Sequence, residues 1–153
     1  VAKFLLVHIL TSIFTEILVT LLNDGTSPQT GKTILLPGTV REMFTNQIPQ
    51  HPNFARRRLP AVKEGLVYPV EELYPLCPGS SPQGWGLTFM ISPGLTGRSN
   101  TTVHWSGLSN IFWWCDRETG VAGIVASQVL PFADSKTVKL WADVEAKAYE
   151  GLR

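Results

Sequence analysis

Two neighbouring runs late in the chain, residues 111–114 (IFWW) and residues 121–129 (VAGIVASQV), are apolar without alternation. A strand with one face in water alternates apolar and polar residues, whereas a strand covered on both faces does not. The polar link between them, residues 116–120 (DRETG), has the composition of a tight turn. The chain is therefore expected to build a sheet with this pair as central strands and to supply a covering layer for each face. With 153 residues, 44% of them hydrophobic, it has the material for one domain with its own core.

Periodicity supplies the layers. In residues 6–22 the positions Leu6, Leu10, Ile13, Phe14, Ile17, Leu18, Leu21 and Leu22 recur at three and four, which makes a broad apolar helical face. Asn23-Asp24-Gly25 closes that helix. Pro37 opens a second, short helix with Val40, Met43 and Phe44 inward. Asp134 caps a final helix that turns Val138, Trp141, Val144 and Ala148 to the core. Residues 87–91 and 101–108 read as two further strands ahead of the hairpin. Residues 47–84 are rich in proline and aperiodic, an excursion of the kind that shapes a pocket mouth. The fold class is α+β, an antiparallel sheet packed against helices.

Several function classes drop out. A formal charge of +1 with only 16% charged residues gives no field for nucleic acid or an anionic membrane, and Arg56-Arg57-Arg58 lies in a Pro-rich loop. The apolar run at residues 4–14 reads as a signal-peptide core or the first half of a helix, and Glu16 interrupts it well before the roughly 20 residues of a membrane span. His8, His51 and His104 are scattered and no two cysteines are close, so neither a metal nor another cofactor is expected. Cys77 and Cys115 cannot form a disulfide framework, and Cys115 sits among aromatics, which leans towards a reducing, cytoplasmic compartment. The acceptor triplet Asn100-Thr101-Thr102 matters only in a secreted chain. Residues 25–33 (GTSPQTGKT) end like a phosphate-binding loop, but the glycine spacing is one residue too long and Pro28 removes an amide.

The strongest chemical candidate is His104-Trp105-Ser106-Gly107. On a strand whose outer edge is unpaired, Gly107 would let a ligand approach the backbone, and free amides would meet an incoming carbonyl oxygen. The plainer reading makes Trp105 core and Gly107 a bulge, and the residues by themselves favour it. A third reading pairs Ser106 with His104 at i and i+2 on one face, although no acid is in place to orient the imidazole.

Three stretches carry a family resemblance: residues 34–47 (ILLPGTVREMFTNQ), residues 83–89 (QGWGLTF) and, most specifically, residues 104–131 with the helix that follows. From about Glu16 onward the chain resembles the C-terminal part of the β-lactamase/transpeptidase-like serine hydrolases, closest to their fungal β-lactamase-related members, which implies one incomplete domain over residues 16–153 behind a non-family apolar segment at 1–15. In that family an acyl-enzyme forms on the Ser of Ser-x-x-Lys, and a Tyr of Tyr-x-Asn assists proton transfer. A Lys-Thr-Gly strand, Trp-Gly-Gly in many esterases, borders the pocket. Trp105-Ser106-Gly107 matches this third element. The resemblance implies that His104, Trp105, Ser106 and Gly107 bind substrate, with Ser106 as the polar residue that contacts it, and that the backbone amide of Leu108 gives half of an oxyanion hole. Trp105 in place of Lys removes the cation that would pair with a carboxylate, which points to a small neutral ester or acyl substrate.

The chain lacks two of the pattern's motifs. No Lys has a Ser three positions before it, and none of Tyr68, Tyr74 or Tyr149 begins Tyr-x-Asn. The reading is therefore a C-terminal portion of a serine esterase or acyltransferase without its nucleophile, and the alternative is a non-catalytic remnant or scaffold of the same fold.

Overall fold

The computed structural model describes residues 2–54, 60–68 and 82–152, with side chains from residue 12 onward. The Arg56 to Arg58 cluster, Cys77 and Tyr74 fall outside them. Helix α1, Ala2–Leu22, runs unbroken through residues 15 and 16, and Gly25, at φ 86°, donates its amide to Thr20 O at 2.8 Å to end it. A Cβ on Gly25 would stand 2.2 Å from Leu35 O, so both conformation and space demand glycine. Helix α2, Pro37–Phe44, starts on Pro37 without a side-chain cap, and helix α3, Ser135–Glu150, is capped by Asp134, whose carboxylate accepts from Thr137 N.

The sheet is antiparallel, with strands in sequence order: β1 Gly84–Trp85, β2 Met90–Ile91, β3 Val103–Gly107, β4 Ile111–Asp116 and β5 Val121–Val125. Its register puts Trp85, Met90, His104, Trp114 and Gly123 on one face and Gly84, Ile91, Val103, Cys115 and Ala122 on the other. The first face packs on α3 through Met90, Phe112, Trp114, Val125, Trp141 and Tyr149. The second packs on α1 and α2 through Leu18, Leu21, Val40, Phe89, Val103 and Cys115. Two-sided covering explains why β4 reads as continuous apolar sequence.

Four expectations are corrected. Strand β5 stops at Val125 and lies at the sheet edge among the described residues, so it is not central. Residues 87–89 leave the ladder: Leu87 N donates to Met43 O at 3.1 Å and Gly86 N to Phe89 O at 2.9 Å, which turns the chain back onto α2. On α1, Ile13 and Ile17 point outward at 53% and 49% exposure, because the sheet is narrower than the apolar arc. On α3 the buried stripe is Thr137, Trp141, Glu145 and Tyr149, spaced by four, while Val144 is exposed.

Gly123 is a packing requirement. Trp114, 1% exposed, lies across it, and a Cβ would come within 2.3 Å of the indole ring. Gly123→Ala is expected to cost about 1–3 kcal/mol through overpacking, read as a lower urea midpoint with an unchanged m-value.

Candidate functional site

Strand β3 carries the residues singled out in the sequence, and its ladder tells which way each backbone group points. Ser92 N donates to Thr102 O at 3.1 Å, so Thr102 faces β2, and Asn110 N donates to Gly107 O at 2.9 Å, so Gly107 faces β4. Backbone groups of successive strand residues alternate between sides, which sends His104 and Ser106 towards β2. Strand β2 begins at Met90 opposite His104, because the preceding residues are tied to α2. The N–H and C=O of Ser106 consequently face a side with no strand partner among the described residues. The trans peptide between Gly107 and Leu108 puts the Leu108 N–H opposite the Gly107 carbonyl, on that same side.

The turn bearing this amide is locked from behind. Asn110 is fully buried at φ 58°, a left-handed conformation that Asn tolerates better than most residues. Its Nδ2 donates to Val129 O at 2.9 Å and Pro131 O at 2.8 Å, and its Oδ1 accepts from Ala133 N at 2.8 Å and Asp134 N at 3.2 Å. Ser127 Oγ donates to Ser109 O at 2.9 Å and Asn110 O at 3.0 Å. One buried amide thus joins the β3–β4 turn to the segment entering α3. Sequence reasoning missed both residues. The available signal was an Asn at the end of a tight turn between two strands.

The named residues divide into two environments. Gly107 and Leu108 are exposed, Leu108 at 52%, and Ser106 is half-buried. Trp105 is half-buried and meets Trp85 edge to face at 5.0 Å. His104 is 3% exposed, its Nε2 lies 2.8 Å from Ser92 Oγ and its ring lies 6.2 Å from that of Trp141. The imidazole is thus committed to Ser92 inside the core and is not free to activate Ser106. Burial, and then the charge of Arg98, hold its pKa well below the usual value.

A polar layer lies beneath α3 next to this histidine. Glu145 accepts from Arg98 Nε at 2.6 Å and Arg98 Nη2 at 2.5 Å, and also from Thr96 Oγ1. Asp116 accepts from Ser99 N at 2.9 Å, Ser99 Oγ at 2.8 Å, Thr119 N at 3.2 Å and Tyr149 OH at 3.0 Å. Burial opposes the Asp116 charge, but the donors of Ser99 and Thr119 outweigh it and lower the pKa. Burial and the Asp116 charge push the Tyr149 phenol up. Burial likewise pushes the Cys115 thiol up to about 12, so it is an inert core group.

The histidine sets a pH response. In the unfolded chain it takes up a proton near its ordinary value of 6.5, whereas the folded site resists protonation. Its contribution is complete above that value and is lost as pH falls below it, at up to about 1.4 kcal/mol per unit. Asp116 acts in the same direction at lower pH: its contribution is present above the ordinary 3.8 and is lost as pH falls through the depressed folded value. The melting temperature is expected to fall between pH 6.5 and 5, and His104→Gln should flatten that segment while leaving the acid limb due to Asp116.

The chain matches no protein-family model. It is 30% identical over 111 residues to the acyltransferase calJ of Penicillium decumbens, a match that covers 70% of this chain and 25% of that protein. Among solved structures, the simvastatin synthase LovD of Aspergillus terreus superposes with a TM-score of 0.62 at 22% identity over 89% of this chain and 33% of its own. Its LovD6 mutant superposes at 0.60, with 23% identity, over 89% and 32%. The chain has the β-lactamase-like fold of these relatives, and it spans about a quarter to a third of their length. Among the described residues, no helix is long and apolar enough to cross a membrane.

Proposed function

We propose that this chain forms one wall of the acyl-transfer pocket of a β-lactamase-like serine esterase or acyltransferase, as the C-terminal part of that domain. The observation that carries the reading is the open edge of β3, where the Ser106 and Leu108 amides face away from β4 on a turn fixed by Asn110. The Leu108 amide is one donor of the oxyanion hole, and Ser106 and Gly107 line the approach of the ester. His104 anchors the strand in the core through Ser92, and Trp105 packs edge to face on Trp85. The covalent acyl-serine step needs a nucleophile and base that no Ser-x-x-Lys or Tyr-x-Asn of this sequence provides. An acyl substrate without a carboxylate suits an edge that has Trp105 where a Lys would carry charge.

Two experiments test the reading. A fluorophosphonate should leave the chain by itself unlabelled, Ser106 included. A hybrid that appends this chain to the portion of the Penicillium acyltransferase it does not match should label on the serine of that portion and turn over a p-nitrophenyl ester. In the hybrid, Leu108→Pro is expected to lower kcat by about 10²–10³ with little change in KM. Residue 108 follows the first position of the turn closed by Asn110 N and Gly107 O, a place that accepts proline, so the variant removes the amide and keeps the fold. An unlabelled, inactive hybrid that is well folded would leave the scaffold reading standing.

A further inference from the structure

At the opposite end of β3 a cleft of about 400 Å³ opens between the end of α2 and the loop leading into the strand, lined by Phe44, Asn46, Gln83, Ile91, Asn100 and Thr101 among others. Thr101 and Leu108 are seven residues apart, so the cleft lies about 20 Å along the strand from the open edge and is a separate site. Its frame is rigid. Asn46 Oδ1 accepts from Trp85 N at 3.2 Å and Ile48 N at 3.0 Å, Gln47 N donates to Trp85 O at 2.8 Å, and Gln83 N donates to Pro52 O at 2.9 Å.

Within that frame, Gln83 is anomalous. It is 2% exposed, and among the described residues neither Oε1 nor Nε2 of its buried amide has a hydrogen-bond partner. A buried polar group left unpaired costs about 1–3 kcal/mol, so a group that serves packing alone at this position would be apolar. We propose that the cleft binds a small neutral molecule bearing a carboxamide or lactam edge, recognised by the side-chain amide of Gln83. A primary amide presents an acceptor and a donor side by side, and its complement is another amide offering a donor and an acceptor in the same spacing. The apolar body of the ligand packs on Phe44 and Ile91. None of the described residues lining the cleft is charged, which disfavours ions. The volume falls within the range of small-molecule sites, about 300–1,000 Å³. The inference is independent of the acyl-transfer reading and survives its failure.

The test uses benzamide as the probe on the full chain, followed through the methyl resonances of Ile91 and Thr101. Benzamide is expected to shift both in a saturable, millimolar titration, and Gln83→Leu should weaken it at least tenfold without lowering the melting temperature. Toluene, with the ring and no amide, should bind Gln83→Leu at least as well as the natural chain. Thr101→Trp, at an exposed rim position, should close the cleft and abolish the shifts, and it carries the test if Gln83→Leu does not fold. Benzamide that leaves Ile91 and Thr101 unmoved, or that binds Gln83→Leu as well as the natural chain, overturns the proposal.

Discussion

Glu145→Gln is expected to destabilise the chain by about 3–5 kcal/mol, a large part of the 5–15 kcal/mol that holds an ordinary domain folded. Glu145 and Arg98 both have fully buried side chains, and each carboxylate oxygen of Glu145 accepts from the guanidinium. Gln keeps the shape but leaves the Arg98 cation in a low-dielectric layer, over the Trp141 ring at 5.8 Å, without its counter-charge. The penalty is the uncompensated charge and not the worth of the pair, and this gives a sharper second expectation. Replacing both together, Arg98→Met with Glu145→Leu, removes two desolvation penalties at once and should come out within about 1–2 kcal/mol of the parent. Urea unfolding of the two single variants and the double variant closes the cycle. Additive losses would mean that the pair is not coupled as its geometry requires.

The same residue shows where sequence reading reached its limit. Trp141 is legible as the inward anchor of α3 because it is large, apolar and in phase, but Glu145, one turn on, gives no apolar signal of its burial. Its burial depends on Arg98, 47 residues earlier, in a loop with no periodic signal. Val144 is in phase with the apolar stripe, yet it is 40% exposed. Strand existence was readable from composition, because two-sided burial leaves no alternation. Strand position was not: β5 is as apolar as β4, and only the pairing shows that it ends the sheet. The early exit of residues 87–89 rests on the Met43 carbonyl, where a Cβ on Gly86 would stand at 1.9 Å. That exit opens the β3 edge at Ser106. The residues flanking the edge were therefore identifiable by their resemblance to a family motif, while the reason the edge is open lies in contacts between distant segments.

Asn110→Ala is expected to cost about 3–4 kcal/mol and to degrade the open edge beyond its effect on stability. The substitution removes four hydrogen bonds at once and strands Ala133 N, whose residue is buried. It also puts a Cβ residue other than Asn at φ 58°, which adds about 1 kcal/mol. Asn110→Gly separates the two effects, since glycine adopts that conformation freely yet makes none of the bonds. Asn110→Asp keeps the acceptor for Ala133 and Asp134 but turns a carboxylate towards the Val129 and Pro131 carbonyls, and it should be at least as damaging as Asn110→Ala at neutral pH. The link to function is geometric: the residues that follow Gly107 are held by the same side chain that seats the entry to α3, so an oxyanion donor on Leu108 keeps its aim only while Asn110 is in place. In the hybrid enzyme, Asn110→Gly should lower kcat by about tenfold or more at a temperature where the variant remains folded, with KM little changed. Amide exchange at residue 110, whose N–H closes the turn on Gly107 O, should rise in parallel in the chain by itself. A variant that loses stability but keeps both kcat and the protection of that turn would separate the brace from the site and remove Asn110 from the mechanism.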